Sequence, residues 1–300
     1  MTIRALIPAL ALVFACTWAN ASELVRTAHF QFTTADGKAA IAHELSAGAE
    51  VMLRQVSAAL GVEPAGMPRI SVDIHHGSES FLAEIGHNKA IEWAAGIAWP
   101  AKRKILLRID AQTRFTIHDI FRHEVSHVML HRAIGGNHVP RWFHEGIAVH
   151  QAGEQILQRW RRTAEASLSD GLIPFAALEN GFPANGLRAD LAYAQSTAYV
   201  GFLLEQHGWG AMRVILRRIH EGMGFGGAIR TVFGKNLRQI ELEWRAALDR
   251  RASWVPFLTG TGILWVAIST LFLLSWAINR RRVRARLSTM DDPNWDDEFA

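Results

Sequence analysis

The rhythm of apolar and polar positions changes once along the body of this chain. In the first third, alternating runs at His29–Thr33, Arg69–Ile74 and Lys104–Ile109 put an apolar side chain at every second position and predict strands. Between the first two runs, Lys38–Leu60 carries apolar residues every three or four positions and stops at Gly61, which predicts a helix. From Thr116 onward the helical period takes over. It predicts helices over Thr116–Ile134, Arg141–Ser167, Asp190–His207, Gly210–Glu221 and Asn236–Arg251, punctuated by Gly135-Gly136, Pro140, Gly171, Pro183, Gly208 and Gly222–Gly227. The fold class this predicts is α+β: a small N-terminal sheet with helices, then a helical body and a helical C-terminal part.

Both ends depart from this amphipathic pattern. Residues 1–21 combine Arg4, an apolar stretch Ala5–Ala15 and the small-x-small triplet Ala19-Asn20-Ala21, the layout of a cleaved secretory signal. From Val255 to Asn279 no side chain is charged, and the run Val255–Ile278 as a helix would extend about 36 Å, enough to cross a hydrocarbon layer of about 30 Å. Trp254 and Trp276 flank it, and Arg280, Arg281, Arg282, Arg284 and Arg286 follow, which marks the cytoplasmic side. The expected organisation is therefore a signal peptide (1–21), one extracytoplasmic domain (22–254), a transmembrane helix (255–279) and a cytoplasmic tail (280–300). That makes a single-pass protein of the cell membrane. The acidic residues of Asp291–Ala300 leave room for a cytosolic partner without identifying one.

Composition removes several function classes. The net charge of +4 is not a pointer to nucleic acid: with Arg4 in the leader and the five arginines beside the apolar run set aside, the body carries 26 basic against 23 acidic residues, an ordinary surface with no block of like charge to follow a phosphate backbone. Nucleic acid is not an expected partner. The single cysteine, Cys16, falls within the leader, so an exported body would contain no disulfide.

Ten of the 14 histidines lie between His75 and His150, and among them His123-Glu124-Val125-Ser126-His127 matches H-E-x-x-H. Two helical residues four apart differ by about 40° in direction and about 6 Å in height, so His123 and His127 project side by side and can share one metal ion. Glu124, about 100° around from His123, is placed to reach a water on that ion. Ile117, Phe121, Val125, Val128 and Met129 form a separate apolar arc facing a core. A third ligand is expected from Pro140-Arg141-Trp142-Phe143-His144-Glu145-Gly146-Ile147-Ala148, where Glu145 on a second helix reaches the same ion and Gly146 and Ala148 allow close helix approach. Two imidazoles and one carboxylate leave a fourth position for water, the open coordination of catalytic zinc.

His123–His127 followed by Trp142–Ala148 resembles the gluzincin class of zinc peptidases, and most closely the peptidase MA-like family. The resemblance spans roughly Thr116 to Leu248, with Tyr193-Ala194-Gln195-Ser196 similar to that family's tyrosine-bearing helix. It implies one zinc ion on His123, His127 and Glu145, Glu124 as general base, a zincin-like active-site helix and a peptide or protein substrate. For the oxyanion donor Tyr193 is favoured, with Tyr199, His144, His150 and His207 as competitors. No Gly-x-Met-Glu-Asn segment of the aminopeptidase kind is present. The strand Lys104–Ile109 is expected to offer an edge to an extended peptide. The competing function class is a non-catalytic, zinc-containing binding or assembly module of the cell envelope. An intramembrane protease is disfavoured because His118, Asp119 and Arg122 flank the motif.

Overall fold

A computed structural model of the chain describes residues 23–34, 39–86, 94–109, 116–153, 156–183, 185–252 and 261–290. The expected signal peptide, the first part of the expected transmembrane span and the acidic end of the tail lie outside the described residues. The chain divides into two compact units, Met1–Ala133 and Ile134–Ala300.

The first unit is a five-stranded sheet with helices. Strands β1 (Glu23–Arg26), β2 (Phe30–Thr34), β3 (Ile70–His75), β4 (Gly96–Trp99) and β5 (Lys104–Arg108) lie in the order β1-β2-β3-β5-β4. β2, β3 and β5 run parallel, and β1 and β4 close the two edges in antiparallel pairing. Parallel neighbours need a long crossover, and α1 (Ala39–Leu60) supplies it between β2 and β3. Leu45, Ala49, Leu53 and Val56 recur at helical spacing on α1 and are buried. Phe30 and Phe32 of β2 meet Phe121 edge-on, at ring-centroid distances of 5.4 and 5.6 Å, so the sheet packs on the helix that carries the motif, α3 (Ile117–Ala133). A short helix, α2 (Ser78–Glu84), buries Phe81 and completes the unit.

All three expected strands are present. The expectation that Lys104–Ile109 forms the open edge is corrected: β5 is bonded to β3 on one side and β4 on the other, so its backbone groups are already used. Among the described residues the edge on that side is β4, which the alternation rule missed because Gly96-Ile97-Ala98-Trp99 is too short to display a period.

The second unit is helical: α4 (Arg141–Ala152), α5 (Ile156–Leu168), α6 (Gly186–His220), α7 (Phe225–Phe233), α8 (Leu237–Ala252) and α9 (Thr261–Met290). The single helix expected over Arg141–Ser167 is two. α4 ends where Gly153 enters the left-handed region (φ 75°) and its N–H caps the carbonyl of Val149. Conversely, the glycine-rich stretch Gly222–Gly227, expected as a break, contains the start of α7, because Phe225, Ala228 and Ile229 bury one helical face. α6 covers both helices expected on either side of Gly208, which is its one non-helical residue.

An aromatic cluster holds this unit together. Trp142 packs against Phe143, Phe175, Tyr199 and Phe225 at centroid distances of 5.8, 5.2, 4.9 and 5.7 Å, and Trp244 closes on Phe175 and Tyr199 at 5.3 Å each. The tyrosine hydroxyl donates to the carbonyl of Leu237 (3.4 Å), so the polar end of the ring is satisfied inside the core.

α9 continues through the arginine cluster to Met290 rather than ending near Asn279. Among the described residues no helix is long and apolar enough to cross a membrane.

Candidate metal centre

The motif helix starts at a reciprocal cap. The Thr116 hydroxyl accepts from the amide of Asp119 (3.2 Å), and the Asp119 carboxylate accepts from the amide of Thr116 (3.0 Å). This cap fixes where the helix begins and hence its phase. Phe121, Val125, Val128 and Met129 then fall on the buried side, as their spacing predicts. His123 and His127 stand one turn apart with ring centroids 4.7 Å from each other and planes at 82°.

α4 is likewise pinned at its first residue. Pro140 precedes it, with its carbonyl accepting from the amides of Phe143 and His144 at 3.0 and 3.1 Å, while the Arg141 amide donates to the carbonyl of Glu179 at 2.7 Å. Trp142, anchored in the aromatic cluster, sets the rotation of the helix, and Glu145 follows three residues later. Each of His123, His127 and Glu145 offers one ligand atom, and these three atoms lie within 4.8 Å of one another. Imidazole nitrogen and carboxylate oxygen are the donors that divalent transition metals and zinc accept. The residues fit such an ion.

Burial gives the set its chemical character. Glu145 is 1% exposed and its Oε1 receives the Arg141 guanidinium at 2.6 Å, an i,i+4 pair whose arginine is 50% exposed. Glu124 and His127 are also buried. Gly96 of β4 faces Glu124 closely: a Cβ there would stand 2.6 Å from Ile120 Cγ2 and 2.9 Å from Glu124 Oε1. A larger residue there would force the Ile120 and Glu124 side chains to shift. The edge strand therefore passes directly beside the expected general base, a neighbour that sequence reasoning missed.

Gly146 does not act as expected. Its open side faces α6, where a Cβ would come within 2.4 Å of Val200 Cγ2 and 2.7 Å of the Ser196 carbonyl. The small residue brings α4 against α6 and so supports Glu145 from behind.

The oxyanion-donor candidates separate. Tyr199 is in the aromatic core with its hydroxyl bonded to Leu237, and burial pushes its ionisation well above the ordinary tyrosine range. His150 donates from Nε2 to the Thr197 carbonyl (2.8 Å), and its burial lowers its pKa below the ordinary histidine value, with the Thr197 bond opposing. His207 lies flat on Phe233, ring centroids 3.9 Å apart. Tyr193 packs edge-on to Phe182 at 4.8 Å with the Arg159 guanidinium 5.7 Å from its ring centre.

A helix bearing His-Glu-x-x-His whose imidazoles meet a carboxylate from the next helix defines a class: metal-dependent hydrolases of the peptidase kind. Within that class the chain belongs to the peptidase MA superfamily, whose family model matches residues 48–250, more than half of its length. No curated protein matches the chain. The resemblance seen in the two sequence segments is thereby borne out, and the membership carries a metallopeptidase-like function acting on peptide or protein substrates.

Proposed function

We propose that this protein is a zinc-dependent metallopeptidase of the gluzincin kind, anchored in the cell membrane by a single C-terminal helix, with residues 22–254 outside the cytoplasm. The observation that carries the enzymatic part is the convergence of the ligand atoms of His123, His127 and Glu145 within 4.8 Å, with Glu124 next to the first of them in the chain. A zinc ion held there supplies Lewis acidity toward water and toward the scissile carbonyl. The chain's own residues do the rest. The Glu124 carboxylate accepts a proton from the attacking water and passes it to the departing amine nitrogen, so that one amide and one water become a carboxylic acid and an amine, which at neutral pH stand as carboxylate and ammonium. Tyr193 is proposed to donate its phenol hydrogen to the developing oxyanion. Among the described residues β4 is an outer strand of the sheet, and its edge, at Gly96 beside Glu124, is where an extended substrate would add by backbone pairing.

Glu145→Ala tests the ligand set. Zinc bound per chain after gel filtration should fall from about one to a small fraction, with hydrolysis lost in parallel; full zinc retention in this variant would remove Glu145 from the site.

Anchoring is supported by α9, where Leu264, Trp265, Val266, Leu271, Phe272 and Trp276 are all more than half exposed and would be unfavourably hydrated in water. The Arg280 guanidinium stacks 5.1 Å from the Trp276 ring, at the step from apolar to basic residues where an interface would lie. Alkaline carbonate should leave the whole chain in the membrane pellet and release a chain ending at residue 254; release of the full-length protein would sink the anchor.

A further inference from the structure

We infer that Arg141 is a positioning residue for the metal centre: its guanidinium holds one oxygen of Glu145 so that the carboxylate stays turned toward the ligand set. The inference rests on the reading of His123, His127 and Glu145 as metal ligands. Four observations carry it. Glu145 is 1% exposed, a degree of burial at which a carboxylate without a counter-charge is strongly disfavoured, and Arg141 Nη2 stands 2.6 Å from its Oε1. The two residues are one turn apart on the same helix, so their approach is set by α4 itself. The backbone of Arg141 is tied down by the bond from its amide to the Glu179 carbonyl (2.7 Å), which fixes the point from which the guanidinium reaches. Finally, a carboxylate has two oxygens, and a guanidinium that occupies one leaves the other for a metal.

Two effects of the arginine oppose each other, and their sizes decide the sign. Its positive charge repels a bound cation, but the side chain is half exposed, so water screens that repulsion. The ion pair, at 2.6 Å, holds a buried, rotatable carboxylate in one orientation, and at 1% exposure little solvent reaches that carboxylate. Orientation therefore wins. Without the guanidinium the Glu145 side chain relaxes away from the ligand set, and zinc must reverse that relaxation to bind. Partners that orient ligands are typically worth about 10–100-fold in metal affinity.

The test is zinc affinity by competition with a chromogenic chelator, on the full-length protein in detergent, for wild type, Arg141→Ala and Arg141→Lys. Arg141→Ala should weaken zinc binding by about 10–100-fold, and Arg141→Lys, which keeps the charge but not the planar fork, should fall between it and wild type. Melting of the metal-free protein should also drop in Arg141→Ala, and added zinc should restore less of it than in wild type. A role confined to helix stability would lower melting with and without zinc alike and leave affinity untouched. Should Arg141→Ala fail to fold, Arg141→Gln keeps a donor without charge and gives the same readout. Unchanged or tighter zinc binding in the alanine or glutamine variant overturns the inference. If wild type binds no zinc, it is the ligand reading that fails.

Discussion

Glu124→Gln should leave the metal in place and remove turnover, with kcat falling about a hundred- to ten-thousand-fold, the range of general acid–base contributions. That corresponds to about 3–5 kcal/mol added to the barrier. The reason for so clean a separation is where Glu124 stands. It is buried beside Gly96 and Ile120 and is not one of the three clustered ligands. An amide of the same shape fills the same volume, so packing against the edge strand survives. It has no free carboxylate to accept a proton from water. Zinc stoichiometry and KM should therefore stay near wild type while single-turnover hydrolysis of a peptide pool disappears. A variant that retained hydrolysis within a few-fold would exclude Glu124 as the base. A wild-type protein that binds zinc yet cleaves nothing would favour the envelope-module reading.

Much of this could be read before any coordinate was known, because the determining signals were local. The helical period over Thr116–Ile134 separated the core face of Phe121 and Val125 from the side bearing His123, while the capping pair at Thr116 and Asp119 that holds this phase became visible only in the structure. The i,i+4 spacing of the histidines is a property of any helix, so their side-by-side placement required nothing tertiary. Glu145 was legible for a different reason: two histidines leave an ion short of a third protein ligand, and the segment Pro140–Ala148, across the turn at Gly135-Gly136, offers a carboxylate on a second helix in a pattern that resembles the peptidase MA family.

What the sequence hid was long-range. β4 carries only four residues, too few for alternation to register, and whether β5 is central or edge depends on that missing partner. Gly146 was rightly marked as a close approach, but a glycine cannot declare which helix it approaches; α6, fifty residues further on, is the one. Arg141 stood at salt-bridge spacing from Glu145 in plain view. On an exposed helix that spacing is a weak surface pair worth a few tenths of a kcal/mol, and only the burial of Glu145 changes its meaning.

Trp142→Ala should be the most damaging single change to the second unit. Trp142 is 2% exposed, and its ring touches Phe143 on its own helix, Phe175, Tyr199 of α6 and Phe225 of α7. Aromatic-to-alanine truncations in such cores cost about 3–5 kcal/mol, a large part of the roughly 5–15 kcal/mol that holds a typical domain folded. For a unit of this size that is a fall of about 10–15 °C in the unfolding midpoint. The loss reaches the site because Trp142 fixes the rotation of α4, and Glu145 lies three residues, less than one turn, along the same helix. Zinc affinity should therefore weaken in Trp142→Ala even at temperatures where the variant remains folded, whereas Trp142→Phe, which keeps a ring in the cluster, should lose less of both. A midpoint within about a degree or two of wild type would mean that the cluster does not bear on α4, and the rotation of Glu145 would need another cause.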